Sequence, residues 1–194
     1  MAHRGADELA AGLDAIRGAP ARAGTVEMIV RRPAEDEREI LEEGQLTVED
    51  GLAGDHWRAR GSRSTPDGSA DPDRQLTVMG SRAVDLLVGG DRDAWPLAGD
   101  QLYVDLDLGI ANLPAGTRLA LGDAVIEVTE PAHTGCSKFS ARFGSEALRF
   151  VNSPDGRVLR LRGLNARVVQ PGTVRRGDAV RPMLPLRAIP EDRP

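Results

Sequence analysis

The sequence reads as a mainly β protein, a closed or nearly closed barrel carrying a few short peripheral helices. Three observations lead there. The chain holds 22 glycines and 13 prolines in 194 residues, about half as many again as usual, and no low-complexity tract absorbs the excess. They therefore read as turns between short strands, and runs rich in Val, Ile and Leu do follow one another across such turns. Finally, the helical segments do not alternate regularly with the strands, which disfavours a doubly wound parallel sheet.

Asp7 to Arg17 places Leu9, Leu13 and Ile16 at helical spacing, and Gly18 and Pro20 end that helix. Val26 to Arg32 is β-branched and reads as the first strand. The acidic run Glu35 to Glu43 reads as a surface connection. Gly61 to Asp73 has no apolar residue larger than proline, so it is a long loop. Gln75 to Met79 reads as a buried strand, followed by a helix from Ser81, a favourable N-cap, to Val88. Leu102 to Leu106 alternates as a strand does. Arg118 to Leu121 and Ala124 to Val128 flank Gly122-Asp123, a two-residue hairpin turn. Arg142 to Val151 sets Phe143, Ala147 and Phe150 on one helical side. Ala166 to Gln170 is a strand, Pro171-Gly172 a turn, and Gly177-Asp178 precedes a last strand through Arg181. This divides the chain into a helical extension over 1–23, one domain over 24–182 and a proline-rich tail over 183–194.

A chain of this size buries roughly 70% of its unfolded surface and needs neither disulfide nor structural metal to fold. The net charge of -5 excludes a general nucleic-acid binder, which carries a basic face. All its cations but Lys138 are arginines. No apolar run reaches the roughly 20 residues of a membrane span, and Asp7, Glu8 and Asp14 interrupt any signal-peptide core. One cysteine excludes an internal disulfide, and a cytoplasmic location is the expectation.

Three polar places can carry chemistry: Gly51 to Trp57, Leu108 to Pro114, and Glu130 to Phe139. In the third, Cys136 follows Gly135 and lies three residues beyond His133, among Thr134, Ser137 and Lys138. Cationic neighbours, and any helix N-terminus that begins near Ser137, would favour the thiolate, which binds metals or attacks electrophiles. Zinc would have to draw on Cys136, His133, His56 and Asp55, with no CxxC pair or HExxH. A hydrolase would pair Cys136 as nucleophile with His133 as base. A metal that brings most of its own ligands needs one soft thiolate only, as molybdenum held by a pterin dithiolene does. The Gly51, Gly54 and Gly109 turns lack the spacing of a phosphate fingerprint but can form amide nests. Arg58, Arg60 and Arg63 beside the long loop can clamp a phosphate.

At these residues the sequence resembles the MOSC domain, named for the C-terminal portion of molybdenum cofactor sulfurases. The likeness is carried by His133-Thr134-Gly135-Cys136-Ser137-Lys138-Phe139, Arg142-Phe143-Gly144, Phe150-Val151-Asn152, Gly156-Arg157 and Leu161 to Ala166. Upstream, Gly54-Asp55-His56, Gln75-Leu76-Thr77, Gly99-Asp100-Gln101, Asn112-Leu113-Pro114, Gly116 to Leu119 and Gly122-Asp123-Ala124 fall in the family's order, so the likeness runs from Val26 to Arg181. It implies a β-barrel and a molybdenum cofactor whose metal is ligated by Cys136, or a sulfur carried there. It further implies reduction of N-hydroxylated compounds, with His133, Asp55 and His56 joining Cys136 in the chemistry. Asn112, Arg58, Thr134 and Lys138 are then expected to hold the cofactor. Ala111 stands where the family usually has an acid. The sequence shows no ferredoxin or sulfurase domain, so the resemblance implies a small-molecule substrate and a separate electron- or sulfur-donor protein. Pyridoxal phosphate is associated with the family through the sulfurase fusion, and Lys138 is the one lysine able to form its Schiff base. A persulfide carrier and a pterin-binding chaperone remain the other readings.

Overall fold

The computed structural model describes residues 2–183. Seven strands close into a mixed barrel in the cyclic order β1 (Gly24–Arg31), β6 (Leu102–Asp105), β5 (Leu76–Gly80), β9 (Leu164–Gln170), β8 (Ala124–Val128), β7 (Arg118–Leu121), β11 (Ala179–Met183). Closure comes from Gly24 and Thr25 pairing antiparallel with Val180 and Ala179. All pairs in the ring are antiparallel except β5 with β6. That exception follows from the connection, because helix α4 (Ser81–Val88) and a 3-10 turn (Arg92–Ala98) cross over between the two strands. Gly24 has no alternative at the seam: a Cβ there would lie 1.9 Å from the Asp105 carbonyl oxygen.

Strand alternation sorts the core into two layers. Inside the barrel lie Val26, Ile29, Leu76, Val78, Leu102, Val104, Leu119, Ile126 and Val168. The outward residues Met28, Val30, Met79 and Tyr103 pack instead under helices, with Leu9, Leu87, Phe139, Phe143 and Val151. A bulge in β1 between Val26 and Met28 lets those two residues face opposite layers. Tyr103 donates its hydroxyl to the Trp95 carbonyl at 2.8 Å, which satisfies the one polar atom of a fully buried ring.

The hairpin about Gly122-Asp123 forms as the sequence predicts. Five features differ. The predicted helix over 7–17 is two, α1 (Ala6–Ala11) and α2 (Leu13–Arg17), because Gly12 caps the end of the first and the start of the second. This extension is docked, with Leu9 wholly buried. The acidic stretch expected to be a surface connection instead supplies β2 (Glu39–Leu41), paired with β1, and β3 (Glu43–Thr47). β3 alternates strictly, Glu43 and Gln45 outward and Gly44 and Leu46 inward. With β4 (Gly51–Leu52) and β10 (Gly172–Arg175) it makes a separate three-stranded sheet, so Pro171-Gly172 leads directly into a strand. Gly80, not Ser81, is the N-cap of α4. Helix α5 begins at Ser137, before the predicted Arg142, and breaks at Gly144, whose φ of 92 is open to glycine. A four-residue α3 (Trp57–Arg60) and α6 (Pro154–Val158) complete the α-helices of the described residues. None of these helices is long and apolar enough to cross a membrane. The proline-rich tail lies almost wholly outside the described residues.

Candidate functional site

A cleft of about 730 Å³ lies between the 32–38 segment, α3, the start of α5 and the residues entering β6 and β9. Seven cationic side chains line it against two carboxylates, Glu35 and Asp36. In a chain of net charge -5 that is a pronounced local concentration of positive charge. Burial and then the charge of Arg32 push the pKa of Arg60 down, and burial followed by Arg142 and Arg32 does the same for Arg38. These guanidiniums crowd one another, and an anion entering the cleft relieves that repulsion.

Two buried ion pairs set the inner wall. Arg32, at the end of β1, donates from Nε to Asp55 Oδ2 at 2.8 Å and from Nη2 to Oδ1 at 2.9 Å. Asp55 also accepts from the Arg32 and Trp57 backbone amides. Its side chain has no exposed surface. The third arm of Arg32 donates to the Gly99 carbonyl at 2.8 Å. The second pair joins Arg162 Nη1 to Asp100 Oδ2 at 2.6 Å, with Arg162 Nη2 on the Ala98 carbonyl at 2.9 Å. Asp100 Oδ1 meets His133 Nε2 at 2.9 Å. Burial alone would raise the Asp100 pKa, but Arg162 and His133 outweigh it and hold the carboxyl below its usual range. Burial and the Arg162 charge push the His133 pKa down, opposed by Asp100, so the imidazole is neutral at pH 7. The ring of Phe139 lies under the Arg162 guanidinium, 5.1 Å away.

The thiol is placed by α5. Cys136 is exposed and is the N-cap residue of that helix, without a side-chain capping bond. Its predecessor is clamped on both sides: Gly135 N–H donates to Asn152 Oδ1 at 3.0 Å and Asn152 Nδ2 donates to the Gly135 carbonyl at 3.2 Å. A side chain at 135 would strike Leu148, its Cβ 2.7 Å from a methyl carbon. The loop is therefore pinned to the end of α5 one residue before the thiol.

Of the residues expected from sequence, Cys136, His133, His56 and Lys138 line the cleft. His56 donates from Nδ1 to the Arg32 carbonyl at 2.7 Å, since a carbonyl can only accept, and this leaves Nε2 free. Asp55 stands behind Arg32, and its oxygens are engaged by Arg32 and the Trp57 amide. It orients a cation and does not face the cleft. Thr134 is exposed next to the lining residues without being one of them. Arg58 points away and pairs with Asp50 at 3.0 Å, while Arg60 takes the cleft-facing place on the same short helix. Asn112 is brought nowhere near: its Nδ2 donates to the carbonyls of Asp107 and Ala21, in the β6–β7 connection. Lys138 is ion-paired with Glu35 and with Asp36 at 3.8 Å, and the Glu35 bond raises its pKa. That favours the ammonium form, which cannot attack an aldehyde as a Schiff base requires. The structure adds Arg162, Asp100 and Asn152 to the site.

Among the described residues no three His, Cys, Asp or Glu side chains converge to hold a metal, so the zinc set does not assemble. His133 turns Nε2 to Asp100, with no hydrogen bond to Cys136, and the nucleophile–base pair of a hydrolase is not formed.

A family model of the MOSC domain matches residues 69–181. The chain belongs to the MOSC family. Solved structures show the same fold at low identity. The YUAD protein from Bacillus subtilis is 15% identical, with a TM-score of 0.61 over 81% of this chain and 94% of that one. YiiM from Escherichia coli is 22% identical, with a TM-score of 0.53 over 84% and 71%. YiiM from Geobacillus stearothermophilus is 15% identical, with a TM-score of 0.55 over 83% and 75%. No curated protein sequence matches the chain. The MOSC family is one associated with molybdenum-cofactor binding, and the donor set here suits that group. A single accessible thiol is the one protein ligand a dithiolene-held metal needs, and the surrounding arginines suit an anion. Arg162 Nε, moreover, is buried in the wall without a partner.

Proposed function

We propose that this MOSC protein binds a molybdenum cofactor in the cleft and reduces N-hydroxylated small molecules there, with electrons from a separate donor protein of the same cytoplasmic compartment. The observation that carries this reading is the exposed Cys136 thiol at the head of α5 on a cleft lined by arginines. Cys136 would ligate the metal as thiolate, and Arg60, Arg74 and Arg32 would meet the anionic part of the cofactor. When bound, the cofactor supplies a two-electron centre able to take up oxygen. The reaction balances as R–NHOH plus two electrons and two protons giving R–NH2 plus water. His56 and His133 each bring one free ring nitrogen to the cleft for the substrate's N–OH group.

The test is elemental analysis for molybdenum and zinc, with pterin fluorescence after oxidation, on protein from a host that makes the cofactor. Near one molybdenum and one pterin per chain is expected in the wild type and neither in Cys136→Ala, whose fold is unchanged because the thiol is exposed and caps nothing. Molybdenum retained by that variant would sink the ligand assignment. The exposure of Cys136 also suits a sulfur carrier. A persulfide on Cys136 by intact mass, without molybdenum, would replace the reductase reading with that one.

A further inference from the structure

The two histidines on the cleft are held by opposite ring nitrogens. His56 gives its Nδ1 hydrogen to a backbone carbonyl, whereas His133 meets a carboxylate through Nε2. A carboxylate between Arg162 and an imidazole only accepts, so the hydrogen of neutral His133 sits on Nε2 and Nδ1 keeps its lone pair. The side-chain atoms buried without a partner among the described residues are Nε of Arg4 and Nε of Arg162. The unpartnered Nδ1 of His133 is therefore open to the cleft that the ring lines. The carboxylate behind it is fully enclosed, with one oxygen for the imidazole and one for the guanidinium.

We propose that Asp100, braced by Arg162, is a positioning residue that locks His133 with hydrogen on Nε2, so that Nδ1 serves as the proton-exchanging atom for the substrate. This rests on the reductase reading for its substrate. Nδ1 takes the hydroxyl proton of the N–OH group and returns it to nitrogen as the N–O bond breaks. When bound, the cofactor would supply the two electrons from the donor protein, and with two solvent protons the oxygen is released as water. Asp100 stabilises the transient imidazolium, as an orienting carboxylate does for a catalytic histidine elsewhere. Lys138 and Arg142 are the other proton-bearing groups at the start of α5. Their hydrogen bonds go to Glu35 for Lys138, and to Asp36 and the Leu97 carbonyl for Arg142, so both are engaged away from His133.

The experiment begins on the protein without cofactor, by two-bond hydrogen–nitrogen NMR of the imidazoles, with His133 assigned through His133→Gln. The wild type should show hydrogen on Nε2 of His133, and on Nδ1 of His56 in the same spectrum. In Asp100→Asn the donor-only Arg162 claims the amide oxygen, the NH2 faces the imidazole, and the His133 hydrogen moves to Nδ1. Hydrogen on Nδ1 in the wild type, or on Nε2 in Asp100→Asn, overturns the proposal, and the first result needs no variant to fold. On loaded protein, with reduced methyl viologen as donor and an aromatic amidoxime as substrate, Asp100→Asn should keep its molybdenum while kcat falls about 10³- to 10⁴-fold. An unchanged kcat refutes the relay and leaves the reductase reading standing. A wild type that binds molybdenum but reduces no amidoxime refutes the reductase reading, while the NMR result still decides how His133 is held.

Discussion

Removing the Asp55 carboxylate should unfold the protein's margin of stability before it touches any chemistry. Asp55 accepts four hydrogen bonds, from the Arg32 backbone amide, Nε and Nη2 and from the Trp57 amide, at 2.8 to 3.1 Å. In Asp55→Ala the Arg32 guanidinium, 7% exposed, keeps only the Gly99 carbonyl and no counter-charge. Truncating one member of a buried pair costs about 3–5 kcal/mol, mostly through the charge left behind. For a domain this size that lowers Tm by about 6–20 °C, at roughly 2–4 °C per kcal/mol. Urea denaturation of the wild type, Asp55→Ala, Arg32→Met and the double variant measures it. The double variant should be more stable than Asp55→Ala alone, because the stranded charge is gone. A loss under about 1 kcal/mol in Asp55→Ala, or a double variant no better than the single one, would refute the structural role.

Two further outcomes follow from the same geometry. Asn112→Ala should cost about 0.5–2 kcal/mol, since the amide's bonds to Asp107 and Ala21 are lost, and should leave molybdenum content unchanged. Loss of molybdenum from a folded Asn112→Ala would bring that residue back to the cofactor. The pKa of His133 lies below its ordinary 6.5, so the unfolded chain binds more protons as the pH falls through that value. Stability then declines on acidification from about pH 6.5 down to the folded pKa, beyond which this contribution is constant. Asp100, depressed below 3.8, adds stability above that value and loses it as the pH falls toward its folded pKa. Urea midpoints between pH 8 and pH 5 test the first effect, and His133→Gln should flatten the slope. An equal slope in that variant would assign it to other groups.

The barrel strands were legible where alternation was carried by Val, Ile and Leu, as in β8. They were hidden where acids filled the outward positions: Glu43 and Gln45 alternate with Gly44 and Leu46, yet the run Glu35 to Glu43 reads as a charged loop. The thiol and its histidine are neighbours in sequence and were found together. The partners that set their chemistry were not, because Arg162 and Asp100 meet across 62 residues and Asn152 reaches Gly135 across 17. Arg58 and Arg60 show a finer limit. Two residues apart on one helical turn they point to nearly opposite sides, so composition beside a loop cannot choose between them. Asn112 matched a motif in order, but order along a chain does not tell whether an amide is already spent on carbonyls.

The walls of the cleft differ in what holds them, and that difference bears on how the site works. On the inner wall, Arg32 and Arg162 donate to the successive carbonyls of Gly99 and Ala98. The following Asp100 binds His133, and the buried Gln101 accepts from the Thr77 amide and hydroxyl through Oε1. Segment 98–101 is thus tied to β1, β5 and the approach to β9 by bonds shielded from water, where each is worth more than at the surface. The outer wall is made by Glu35 and Asp36 meeting Lys138 and Arg142. Three of these four side chains are more than half exposed, and such pairs contribute about 0–1 kcal/mol each. A group that must be held in a fixed orientation belongs against the first wall, and one that must enter and leave belongs beside the second. Because Glu35 and Asp36 occupy cations that an incoming anion would also use, entry of an anion and separation of these ion pairs are coupled, and salt that screens the pairs should open the outer wall without disturbing the inner one.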